Sequence, residues 1–126
     1  MALTDNLIDN GRKSGELVCH TAGAEIFLGA LLCHDGAGAV VPAATGLVFA
    51  GIADGYAKEG EPVKVWKTGV FERPSTAAIA VSNIGTPVAF DSDDKVKATT
   101  GGTDACGILE DVKDTTNAIR IDGYAK

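Results

Sequence analysis

Nine short apolar runs, each closed by Gly, Asp, Asn or Pro, restrict this 126-residue chain to very few architectures. The runs are 16–20, 30–34, 39–42, 47–53, 62–72, 86–91, 95–99, 105–111 and 118–122. A long amphipathic helix needs a sustained 3.6-residue apolar period, and no window of the chain has one. Short runs punctuated by turn formers make strands joined by tight connections. Most of the sixteen glycines lie scattered between the runs and supply the turns. The fold class expected is therefore all-β, a compact β-barrel or β-sandwich of short strands. The alternation within 63–66 sets Val63 and Val65 on one face and Lys64 and Trp66 on the other. Only two places invite helical turns. Thr4 could cap residues 4–10 before Gly11 stops them, and Ser75 could cap a turn through residue 80. Residues 1–15 read as an N-terminal arm, and 16–126 as a single β domain.

The remaining composition narrows function by exclusion. With 45% apolar and 22% charged residues the chain can build a core. With aromatics at 6%, that core must be mostly Val, Ile, Leu and Ala. The net charge is −6, and Lys and Arg stand singly apart from Arg12-Lys13. A nucleic-acid or anionic-membrane partner would call for a basic patch, so neither is expected. No run approaches the roughly 20 apolar residues of a membrane span. The first residues lack the basic start and apolar run of a secretory signal. Three cysteines, an odd number, read as reduced thiols made in a cytosol.

Sliding the chain on itself by 56 residues aligns 29–66 with 85–122 without a gap. Gly29 meets Gly85, Asp35 meets Asp91, Val40 meets Val96, Gly46 meets Gly102, and Gly51-Ile52 meets Gly107-Ile108. Asp54 meets Glu110, and Val63-Lys64-Val65 meets Ile119-Arg120-Ile121. Only six of these 38 positions are identical, so the weight lies on where they fall: at turn glycines and inward apolar positions. The pattern predicts a duplicated strand unit. It makes Trp66 and Asp122 equivalent outward positions and points to the Trp66 unit as the contact side, with the more polar second unit facing solvent.

Chemistry-bearing motifs are sparse. Cys19-His20 and Cys33-His34 suggest a zinc set, but adjacent strand residues point to opposite faces. At most one residue of each pair can reach a common site, with Cys106 as a third, and the usual C-x₂₋₄-C spacing is absent. No metal and no cofactor are expected. Asp91, Asp93 and Asp94 lack the EF-hand pattern and read as a solvated hairpin turn. Gly36-Ala37-Gly38 precedes no helix, so it is a turn rather than a phosphate loop. Neither G-x-S-x-G nor H-E-x-x-H occurs. No catalytic residue is assigned and no enzyme activity is expected, although dispersed carboxylates leave no local motif.

Three stretches carry a family likeness. The first is Gly51-Ile52-Ala53, then Gly60-Glu61-Pro62-Val63-Lys64-Val65 and Gly69-Val70-Phe71-Glu72. The second is Ile84-Gly85-Thr86-Pro87-Val88-Ala89-Phe90 with Lys95-Val96-Lys97-Ala98. The third is Cys106-Gly107-Ile108-Leu109 with Ile119-Arg120-Ile121-Asp122. In order and spacing, residues 24–123 resemble the capsid cement, or head decoration, proteins of tailed bacteriophages. Thr86 stands where many members carry an aspartate after the glycine. The resemblance implies a virion component on the outer surface of the capsid, made in the host cytoplasm. It implies the major capsid protein as partner and a homo-oligomer, with a trimer favoured. The contact residues expected are Thr4, Asp5, Asn6, Leu7, Ile8, Arg12 and Lys13 of the arm, and Trp66, a lone outward aromatic. Another virion module, from tail or baseplate, and a ligand-binding domain stay open as alternatives.

Overall fold

The computed structural model of the chain describes residues 15–44, 46–75, 78–99, 105–113 and 116–122. Every one of the nine runs is a strand. They are β1 (Gly15–Thr21), β2 (Leu31–His34), β3 (Val40–Pro42), β4 (Val48–Ala53), β5 (Pro62–Pro74), β6 (Pro87–Phe90), β7 (Val96–Ala98), β8 (Ala105–Lys113) and β9 (Thr116–Asp122). All of these strands pair antiparallel, in the order β3-β2-β4-β5-β9-β8-β6-β7, with β1 on β5. The sheet curls into a half-barrel. The turn expected after Ser75 is displaced. Ser75 pairs with Val96 and Ala80 is extended, so the 3₁₀ turn forms later, at Val81–Asn83.

The strand order is the same in two halves: β3-β2-β4-β5 and β7-β6-β8-β9. The registers agree residue by residue. Leu31 faces Ile52, Leu32 faces Gly51, a bulge intervenes, and Cys33 faces Phe49. Fifty-six positions on, Pro87 faces Ile108, Val88 faces Gly107, a bulge intervenes, and Ala89 faces Ala105. The hairpins match as well: His34 pairs Val40 as Phe90 pairs Val96. The bulges explain the shared glycines. A Cβ on Gly51 would collide with the carbonyl oxygen of Trp66, and one on Gly107 with that of Arg120.

The last strand corrects the expected alignment. Ala53 pairs Val65, whereas its counterpart Leu109 pairs Ile119. The second connection is two residues shorter, so Trp66 corresponds to Arg120 and not to Asp122. The unit is also longer than its sequence trace. Val18 of β1 lies opposite Val65 as Phe71 of β5 lies opposite Ile119. Beyond these strands, parallel bridges join Ala22 to Val40 and Ser75 to Val96. Each unit is thus a five-strand curl. The long β5 is shared, closing unit one with its first half and opening unit two with its second.

Corresponding side chains enter different cores. In unit one, Ile26, Leu32, Val40, Ala50, Ala53 and Val65 form a small aliphatic cluster inside the curl. Their counterparts Ile79, Val88, Val96, Cys106, Leu109 and Ile119 belong to a larger cluster. That cluster also takes Leu31, Cys33, Phe49 and Ile52 from the other face of unit one. Strand β4 is therefore buried on both faces, and unit one is docked against unit two. Phe49 stacks on Phe90 with centroids 6.5 Å apart. Buried Arg73 crosses the junction, donating from Nη2 to the Gly29 carbonyl at 2.9 Å.

Candidate functional site

Of the expected contact residues, Thr4, Asp5, Asn6, Leu7, Ile8, Arg12 and Lys13 lie outside the described residues. Trp66 is placed, and it is half-buried. Its ring packs on the larger core, and its indole N–H donates to Asp54 Oδ1 at 2.8 Å. The corresponding pair in unit two is Arg120 and Glu110. Arg120 donates from Nε and Nη2 to Glu110 Oε1 at 2.9 and 2.7 Å, in the open. One cross-strand device thus appears twice, once as a packed wall and once as a surface ion pair. A tryptophan with its ring packed and its donor satisfied has little left to offer a partner.

Both units expose large apolar side chains, Leu17, Val48 and Tyr56 on unit one and Val81, Ile84 and Ile108 on unit two, and on unit two they gather around one turn. The face that carries Leu31, Cys33, Phe49 and Ile52 in unit one carries Pro87, Ala89, Ala105 and Ile108 here, of which Ala89 is buried and the other three are partly or well exposed. Ile52 is 0% exposed, whereas Ile108 is 38% exposed. Beside Ile108 stands the 3₁₀ turn with Val81 at 68% and Ile84 at 40% exposure. Two backbone bonds lock that turn to β8: Gly85 N–H donates to the Leu109 carbonyl, and Leu109 N–H to the Thr86 carbonyl. An open groove of about 500 Å³ runs between Asn83, Thr86, Pro87, Ala98 and Thr99. A second, of about 400 Å³, lies against Ile79, Asn83, Asp91 and Lys97. Aliphatic side chains held on a rigid turn beside grooves can bury area against a protein surface. The sequence signal was faint: Val81 and Ile84 flank Ser82-Asn83, just beyond the turn expected through residue 80.

The Asp91–Asp94 turn is only partly solvated. Asp91 is exposed, with Lys97 Nζ at 3.9 Å, but Asp93 is buried and its carbonyl accepts from Leu31 N–H at 2.7 Å. The turn is therefore part of the junction between the units, which a solvated reading of its aspartates misses. Ser92 Oγ donates to Asp94 Oδ1 at 2.6 Å. Among the described residues no three His, Cys, Asp or Glu side chains converge as a metal set.

The two Cys-His dipeptides split by face, as strand geometry requires. Cys19 is exposed, and Cys33 enters the core near Cys106, whose thiol burial pushes up to about 12. The imidazoles turn the other way. His20 and His34 meet edge to face with centroids 5.8 Å apart, close to the buried Lys67. Both imidazoles are held below 6.5, by burial first and by the Lys67 charge second. His20 Nε2 is buried without a hydrogen-bond partner.

Two curled β units fused through one strand, with an apolar turn and grooves on the outer face of one, define a structural binding module. The family model of phage cement proteins matches residues 21–122, all of the chain from the end of β1 to the end of β9, and the chain belongs to that family. Its role is capsid decoration, as a cement component of the phage head, and its place is the virion capsid. In fold it is similar to the head fiber gp8.5 N base of bacteriophage phi29. The TM-score is 0.57 at 14% identity, covering 88% of this chain and 97% of that one. No curated protein sequence matches the chain.

Proposed function

We propose that this cement protein sits on the outer surface of the head and holds neighbouring major capsid subunits together, without catalysis. One observation carries the reading: Val81, Ile84 and Ile108 are open on unit two, on and beside the face that unit one buries. An apolar patch on a rigid turn, in a chain of net charge −6, favours a protein partner over a small ligand or a polyanion. The arm, with Thr4, Asp5, Asn6, Leu7, Ile8, Arg12 and Lys13, supplies a second contact, and Trp66 acts as a fixed wall beneath the surface. The family resemblance favours a trimer. Several weak contacts made together hold far better than one, which is how a clamp strengthens a lattice without new chemistry. Synthesis takes place in the host cytoplasm.

Binding of purified protein to expanded heads lacking it, read by co-sedimentation, tests the reading. The Val81→Asp/Ile108→Asp double variant should lose about tenfold or more in head affinity with an unchanged melting temperature, since both side chains are exposed. Deleting residues 2–14 should also weaken binding more than it lowers the melting temperature. Wild-type binding by both variants would remove these contacts from the mechanism.

A further inference from the structure

The position occupied by His20, His34 and Lys67 has a counterpart in unit two, and the two are filled differently. By register the counterparts are Arg73, Phe90 and Ile121. All three are buried at the junction, where Arg73 reaches the Gly29 carbonyl and Phe90 stacks on Phe49. None of these three changes charge between pH 5 and 7. In unit one the same position gathers two imidazoles and an ammonium from three strands. β1 contributes His20, β2 His34, and β5 Lys67.

We propose that His20, with His34 and Lys67, is a proton-operated latch that holds β1 onto unit one at neutral pH and loosens it in mild acid. At neutral pH the imidazoles are uncharged, and their edge-to-face contact joins β1 to β2 beside the buried Lys67 ammonium. Protonation places two further positive charges beside Lys67, in a half-buried place of low dielectric. Among the described residues the groups facing them are few. Opposite His20, β5 offers Val63 in register and the Lys67 charge; β2 offers His34. Opposite His34 stand Val40 of β3 and Val48 of β4, with Asp35 as its chain neighbour. The Asp35 carboxylate accepts the Ala37 and Ala39 backbone N–H groups, which holds it ionised in mild acid and lets it offset charge on His34. Among the described residues no carboxylate acts on His20 in the same way. His20 is therefore the operating residue, and relief comes from moving β1 away from β5. β1 is the strand that carries the arm, so the consequence for capsid attachment, though not the latch itself, rests on the proposed function.

The sign follows from proton counting. An imidazole held below its ordinary value binds more protons once its strand opens, so opening is favoured as pH falls below about 6.5. Uptake of one proton raises the opening constant by at most about tenfold per pH unit. The test is amide hydrogen exchange of the free full-length protein at pH 7 and pH 5, corrected for intrinsic rates. Exchange of the β1 amides Val18–Thr21 should rise several-fold to tenfold, while unit two amides at β8 and β9 stay within a factor of two. His20→Asn should abolish the rise and Asp35→Asn should enlarge it. Equal β1 exchange at the two pH values, or the same rise in His20→Asn, overturns the latch. NMR titration of the wild-type His20 ring gives a readout that needs no variant. A midpoint below 6.5, accompanied by β1 amide shifts, supports the latch, and an ordinary midpoint without them overturns it. Heads that shed the protein in acid while β1 exchange stays flat would sink the latch and leave the cement role standing.

Discussion

Unit one and unit two are two solutions built on one strand register. Both place a bulge and a glycine at the same point, and both brace β4 or β8 to the next strand with one side-chain pair: Trp66 with Asp54, Arg120 with Glu110. Their fates diverge because they dock asymmetrically. Unit one offers an outer face of Leu31, Cys33, Phe49 and Ile52 to unit two, and among the described residues no third unit receives unit two's own. Equivalent positions then face opposite solvent conditions, and the residue types follow: Phe49 against Ala105, Trp66 against Arg120, Phe90 against His34. Repetition sets the scaffold, while docking decides which copy of each position carries apolar mass and which is left to meet a partner.

That comparison can be broken most decisively at the bulges. Gly51→Val and Gly107→Val should each cost more than about 4 kcal/mol, or prevent folding, because the new Cβ meets a neighbouring carbonyl in both units. Urea unfolding measures it, and a tolerated valine at either glycine would end the equivalence. The paired isoleucines separate the two faces. Ile52→Ala should destabilise by about 2–4 kcal/mol and Ile108→Ala by less than about 0.5 kcal/mol, since only Ile52 is buried in the junction. Similar losses at both would mean that unit two's outer face is packed rather than open. Arg73→Met keeps much of the buried volume but removes the donor to the Gly29 carbonyl. It should cost about 1.5–3 kcal/mol, and a neutral result would show that the junction is held by apolar contact alone. The bracing pairs give the smallest effects. Trp66→Phe should lose about 1 kcal/mol with its half-buried hydrogen bond to Asp54. Arg120→Gln should lose less, its ion pair being solvent-exposed and screened by salt.

Reading the sequence works here where structure is local. The nine strands are legible because each is short, apolar and bounded by turn formers. Val63 and Val65 point inward because alternation is a property of the extended backbone. The duplication is legible at Gly51 and Gly107, where a bulge beside a neighbouring carbonyl admits no side chain. It is blurred over the final strand, because a connection two residues shorter moves the frame without leaving a mark in composition. The contact surface is less legible still. Trp66 suggests an exposed anchor on type and periodicity, yet its ring packs on the core through docking that no local pattern encodes. Val81 and Ile84 carry no local mark of a contact until Gly85 and Thr86 bind their turn to the Leu109 backbone.

By itself, the sequence determined an all-β chain of nine short strands in a repeated pattern, with the likeness to phage cement proteins that the family match establishes. Periodicity, turn chemistry and glycine sterics act within a few residues, so they survive in one dimension. Only the tertiary structure decided that β5 serves both units, that Arg73 and Asp93 are buried at the junction, and that His20 meets His34 beside Lys67. Those outcomes depend on which face of one unit covers the other. A choice between two apolar faces of the same strand is settled by the burial both units achieve together, not by either stretch of sequence alone.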